Sequence, residues 1–157
     1  MARQTWVHLL VWRPVDPGRP LDVSRSWPRV LQVTRGGRPA PPGVLLRPGE
    51  PVPAAAARVA TALGLHPPAR HRVLAVDQYP AESGPNEELS LILDGGWLGA
   101  DTRLGCDHGG HAWSWTPVTD LGRVALVHAL RTVLADHPPL ALWQGMPVLP
   151  PPPDSPG

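Results

Sequence analysis

Residues 5 to 12, Thr-Trp-Val-His-Leu-Leu-Val-Trp, form a short β-branched and aromatic run that stops at Pro14, which predicts a first strand. Asp16-Pro-Gly18 reads as a turn. Arg29 to Thr34 has strand composition and ends at Gly36-Gly37, and Val44 to Leu46 is a third apolar piece between proline-rich segments. The period changes over Ala54 to Leu63, where strong helix formers follow Pro53 and precede Gly64. On that helix Ala56, Val59 and Leu63 share a stripe facing the core, while Arg58 and Thr61 or Ala62 lie nearer the other side. Arg72 to Tyr79 and Glu88 to Asp94 read as two long strands joined through a polar loop holding Ser83 to Asn86, an antiparallel hairpin. Trp113 and Trp115 alternate with Ser114, and apolar residues then recur at helical spacing over about 121 to 136. From Gly145 onward Pro and Gly dominate. The expected division is therefore one domain over residues 1 to 144 and an extended proline-rich tail over 145 to 157.

Composition narrows the classes. A chain of 157 residues with 42% apolar content closes one core of ordinary size. Fourteen basic against 13 acidic residues give a net charge of +1, too balanced for a dedicated nucleic-acid binder. The N-terminal apolar run is too short to span a bilayer and lacks a signal-peptide pattern, so no membrane partner is expected and the reading places the protein in the cytoplasm. The single cysteine, Cys106, forms no internal disulfide, in keeping with a reducing compartment.

The segment Gly43-Val-Leu-Leu-Arg-Pro-Gly-Glu-Pro-Val-Pro-Ala-Ala-Ala-Ala-Arg-Val-Ala-Thr-Ala-Leu-Gly-Leu65 resembles the signature of the Nudix hydrolases, G-x5-E-x7-R-E-U-x-E-E-x-G-U with U a bulky aliphatic. Gly43 and Gly64 stand at the required separation, and Val59 and Leu65 fill both aliphatic positions. Val73 to Asp77, Leu91 to Leu98 and Trp115 to Leu121 are also similar to family phrases, so the resemblance covers roughly residues 5 to 145. It implies a Nudix-type α/β/α sandwich with a mixed sheet. It also implies glutamates that hold Mg²⁺ or Mn²⁺ for water to attack a phosphoanhydride, since hard cations take oxygen ligands. Those acids are missing. With the glycines aligned, the positions read Gly49, Ala57, Arg58, Thr61 and Ala62. A slip of one residue recovers Glu50 and Arg58 but sets Val59, Ala62 and Leu63 where the other acids belong. A divalent ion beside Arg58 would meet a repulsion of several kcal/mol at an effective dielectric of about 20. The expectation is that metal-dependent hydrolysis is lost and that no cofactor is needed.

The remaining chemistry divides among a few residues. Glu50 and Arg58 can pair and pin the loop to the helix. Alternatively Arg47 and Arg58, with Glu50 and Thr61 nearby, grip a phosphate or carboxylate without a metal. Cys106, His108 and His111 include borderline and soft zinc donors but match no strong zinc spacing, and solvated loop residues are the plainer reading. His108 and His111 are also the local titratable groups where many Nudix relatives carry a basic glutamate, and Asp77 is the one acid between Pro51 and Ala81. Trp27, Trp97 and Trp113 serve packing or stack on a flat ligand. His128 falls on the apolar side of the last helix.

Two functions follow. In the first, the protein keeps the ligand cleft and binds a small anionic, nucleotide-like molecule, or a protein partner, without family-type catalysis. In the second, it is an enzyme on a nucleoside diphosphate derivative or related molecule, using His108, His111 or Asp77 with a relocated Mg²⁺ or Mn²⁺, or none. The free edge of a mixed sheet makes a homodimer possible.

Overall fold

The computed structural model describes residues 3–68, 71–80, 87–105 and 112–149. Strand β1 (Gln4–Arg13) is central and carries six consecutive buried residues from Val7 to Trp12. A strand covered on both faces reads as a continuous apolar run, which is what the sequence shows. Its neighbours are β2 (Arg29–Arg35), β3 (Arg38–Ala40) and β4 (Gly43–Leu45), then β5 (Val73–Tyr79), β6 (Glu88–Trp97), β7 (Ala112–Thr116), β8 (Leu140–Trp143) and β9 (Met146–Pro147). The sheet order is β3-β2-β1-β6-β5-β8-β9, with β4 on β1 and β7 on β2. The expected β5–β6 hairpin is antiparallel, whereas β1–β6 and β5–β8 are parallel. The sheet is mixed.

Two helices cover it. Helix α1 (Val52–Ala62) packs on the face that carries Val7, Leu9 and Val11, burying Ala55, Ala56, Val59 and Ala60. Helix α2 (Val124–Leu134) packs on the other, against Leu10, Trp12 and Ile92. Alternation along β1 thus sends successive side chains to opposite helices. Leu126 and Leu130 of α2 are fully buried, and each such side chain contributes about 1.5–3 kcal/mol.

Four differences from the sequence reading have local causes. Helix α2 is shorter than 121 to 136, because a single 3-10 turn, Val118–Asp120, precedes it and Leu121 is already extended. Strand β3 went unread, although Gly36 and Gly37 have φ of 56° and 78° and close a two-residue hairpin that pairs Arg35 with Arg38. Strand β7 was legible in Trp113 and Trp115, but its partner, β2, was not. At the C-terminal end, Gln144 and Gly145 (φ 51° and 82°) turn β8 into β9, so sheet pairing continues past residue 144. The expected tail beyond 149 lies outside the described residues. Among the described residues, no helix is long and apolar enough to cross a membrane.

Candidate functional site

The two glycines shared with the Nudix signature have separate structural duties. Gly43 sits opposite His8 in the β1–β4 pair, where a side chain would collide with the His8 ring. Gly64 (φ 72°) ends α1: its N–H donates to Thr61 O at 3.0 Å, and the Leu65 N–H donates to Ala60 O at 2.9 Å. This is the Schellman pattern, with Leu65 as its apolar partner packed against the α1 core. Gly64 also receives the loop before residue 106. Gly105 N–H donates to Leu63 O at 2.8 Å, and a Cβ on Gly64 would stand 2.8 Å from Gly105 N.

At the start of α1, Glu50 and Arg58 are paired. Arg58 Nε and Nη2 donate to Glu50 Oε2 and Oε1, both at 2.8 Å, and Nη2 also reaches Leu45 O at 3.0 Å. The Arg47 backbone N–H adds a bond to Glu50 Oε1 at 3.2 Å. Hydrogen bonding from Arg58 holds the Glu50 carboxyl below its ordinary value, and Glu50 in turn raises Arg58. Ala57 and Arg58 are half-buried, Thr61 and Ala62 exposed. The donor set is one carboxylate already bonded to a guanidinium, a hydroxyl and methyl groups. It does not fit a divalent cation. Among the described residues, no three His, Cys, Asp or Glu side chains gather to hold a metal. Cys106, His108 and His111 lie outside the described residues.

The other face of the sheet holds a cleft of about 660 Å³. It is lined by Trp6 and His8 of β1, Arg38 beside the β2–β3 turn, Tyr79 at the end of β5, Glu88 of β6, and Arg123 at the start of α2. Trp6 and His8, two residues apart on one face, stack with ring centroids 5.8 Å apart. Arg123 lies over the Tyr79 ring at 5.5 Å, and its Nη1 approaches His8 Nε2 at 3.4 Å. Neither Arg38 nor Arg123 forms an ion pair among the described residues. Helix α2 starts beside this cleft with no side-chain cap and no acid in its first turn, and its Leu126 N–H donates to Arg123 O at 3.1 Å. Burial pushes the Tyr79 phenol above its ordinary value, with Asp77 adding to the rise and Arg123 opposing it.

Asp77 lies under this cleft. It is fully buried on β5, where Oδ1 accepts the Gly145 N–H at 2.9 Å. Arg47, Glu50, Arg58 and Thr61 do not line the cleft, because α1 covers the opposite face. Sequence reasoning missed Trp6, His8, Arg38, Tyr79, Glu88 and Arg123, which come from five separate elements. The available signal was His8, Asp77 and Ser90, three buried polar residues interrupting apolar strands. Of the aromatic candidates, Trp113 packs against the α1 core, while Trp27 and Trp97 are exposed; the Arg131 guanidinium lies 5.9 Å from the Trp27 ring. His128 is half-buried.

No family sequence model and no curated protein matches the chain. In structure it is similar to the Nudix domain of Shewanella oneidensis NrtR, solved with ADP ribose (TM-score 0.55, 12% identity, 76% of each chain). It is also similar to an Ap4A hydrolase of C. elegans (TM-score 0.55, 16% identity, covering 85% of this chain and 98% of that one). The Nudix hydrolase RenU of M. smegmatis is 22% identical, with a TM-score of 0.52 over 87% of this chain and 88% of that one. With helices on both faces of a mixed sheet, and Gly43 and Gly64 closing the loop and helix between them, the chain has the Nudix fold.

Proposed function

We propose that the protein binds a small anionic, nucleotide-like molecule in the α2-face cleft without a metal, and that it does not carry out metal-dependent diphosphate hydrolysis at α1. The observation that carries this reading is convergence: two guanidinium groups that form no ion pair among the described residues meet aromatic rings in one concave space. A cleft of about 660 Å³ has room for such a ligand. Arg38 and Arg123 supply planar donors for phosphate or carboxylate oxygens. Trp6 and Tyr79 offer faces for a flat ring. The ADP ribose bound to the Shewanella domain supports the ligand class.

Loss of hydrolysis rests on the Glu50–Arg58 pair, which occupies the carboxylate nearest the signature positions. Calorimetric titration with ADP ribose and with Ap4A, each in Mg²⁺ and again in EDTA, tests both halves. The expected result is saturable binding that the chelator leaves unchanged, with no product formed. Product release abolished by EDTA would restore the hydrolase reading.

A further inference from the structure

Asp77 is fully buried on β5 and does not line the cleft, yet it is joined to three of the pieces that do. Its Oδ1 accepts the Gly145 N–H at 2.9 Å, fixing the turn from β8 to β9. That turn abuts the start of α2: a Cβ placed on Gly145 would stand 3.4 Å from Val124 Cβ and 3.8 Å from Ala125 N. Arg123 is the next residue back along the chain. Its guanidinium lies 5.5 Å from the Tyr79 ring centroid, and Nη1 is 3.4 Å from His8 Nε2. Tyr79 shares a face of β5 with Asp77, two residues away, and its phenol bonds to both the Asp77 carboxyl and the Arg123 guanidinium. A phenol whose proton points at a carboxylate offers its other neighbour only lone pairs, which suits a guanidinium donor. Asp77 therefore reaches Arg123 by two routes, the phenol and the turn.

We propose that Asp77 is the positioning residue of the anion site: it sets the place and direction of the Arg123 guanidinium without touching the ligand. An arginine side chain gives up rotamer freedom when it grips an anion, and one already held by a phenol and a packed turn gives up less. This inference rests on the α2-face cleft being the anion site, and it goes further in naming what sets the affinity there. The sign of its effect is distinctive. By charge alone a carboxylate beneath an anion site opposes binding, whereas a positioning carboxylate favours it.

The test is calorimetric titration with adenosine 5′-monophosphate of the native chain and of Asp77→Asn. An amide has one acceptor oxygen where a carboxylate has two, so the variant serves Gly145 or Tyr79 but not both. The expected result is an affinity loss of about three- to tenfold. The loss should act through Arg123: in an Arg123→Ala background, Asp77→Asn is expected to change affinity by less than about 1.5-fold. Tyr79, the only tyrosine in the chain, reads the link by absorbance. Asp77 contributes to its raised pKa, so phenolate should form at lower pH in Asp77→Asn than in the native chain, whereas a carboxyl that only supports the turn would leave that titration unmoved. Should Asp77→Asn not fold, Tyr79→Phe keeps the ring and the turn but removes the phenol link. Its expected loss is about threefold, again absent in the Arg123→Ala background. Unchanged or tighter binding by Asp77→Asn, or a loss of the same size with Arg123 removed, overturns the inference and leaves the anion cleft standing. A native chain that does not bind the probe overturns the cleft itself, and this inference with it.

Discussion

Helices α1 and α2 are each 11 residues long and pack on opposite faces of β1, yet the polar groups around them are arranged in contrary ways. On the α1 side, Arg58 and Glu50 satisfy each other through two short bonds, and the rest of the helix presents methyl groups and one hydroxyl. On the α2 side, Arg38 and Arg123 line a cleft with Glu88 and form no ion pair among the described residues, and the start of α2 has no side-chain cap. Only the second arrangement leaves interactions for a ligand to complete. On the proposed function, the side that resembles the Nudix signature in its glycines serves architecture, and the side with no such signature carries the candidate chemistry.

The largest effect should separate the two faces directly. Arg123→Ala is expected to weaken binding of a nucleoside monophosphate about 10- to 100-fold, the equivalent of losing a charged hydrogen bond, while Arg58→Ala changes it by less than about twofold. Calorimetry on both variants checks this. Equal losses would erase the distinction.

Gly64→Ala sharpens the architectural side. A left-handed residue with a Cβ costs about 1–2 kcal/mol, and the Gly105 backbone leaves little room for relief. Urea unfolding should show the loss, with ligand affinity retained.

Tyr79 is the only tyrosine in the chain, so phenolate absorbance reports the cleft alone. Its folded pKa is raised, chiefly by burial. The resulting stabilisation is complete below the unfolded tyrosine pKa, about 10, and is lost as pH rises through the folded value. Titration of the native chain should therefore lag behind that of the chain in denaturant. Saturating the cleft with an anionic ligand, which offsets Arg123, should delay it further.

The smallest effect is in acid. Glu50 has a lowered folded pKa because Arg58 bonds to its charged form. Its stabilisation is present above the ordinary glutamate range and disappears as pH falls through the folded value. Glu50→Gln should flatten that part of the stability profile, with a shift of a few degrees at most in melting temperature.

Much of the fold was legible because its signals are local. Val7 to Trp12, the β5–β6 pair and the stripe Ala56, Val59 and Leu63 declare themselves by period. Gly36-Gly37 and Gln144-Gly145 also carried a local signal, two positive φ angles closing a hairpin, but short strands containing Pro39 and Pro147 conceal it. The Glu50–Arg58 pair was readable because both residues lie within one loop-helix unit. The cleft was not. Its members reach from Trp6 to Gly145, and only the sheet order, with β1 beside β6 and β6 beside β5, brings His8, Ser90 and Asp77 onto one face.

The contrast between the faces is tested most directly by titrating Mn²⁺ into the native chain and into Glu50→Gln by calorimetry. The account predicts no saturable Mn²⁺ uptake that depends on Glu50. Micromolar uptake in the native chain that vanishes in Glu50→Gln would contradict it, placing a working cation centre where the structure shows a closed ion pair.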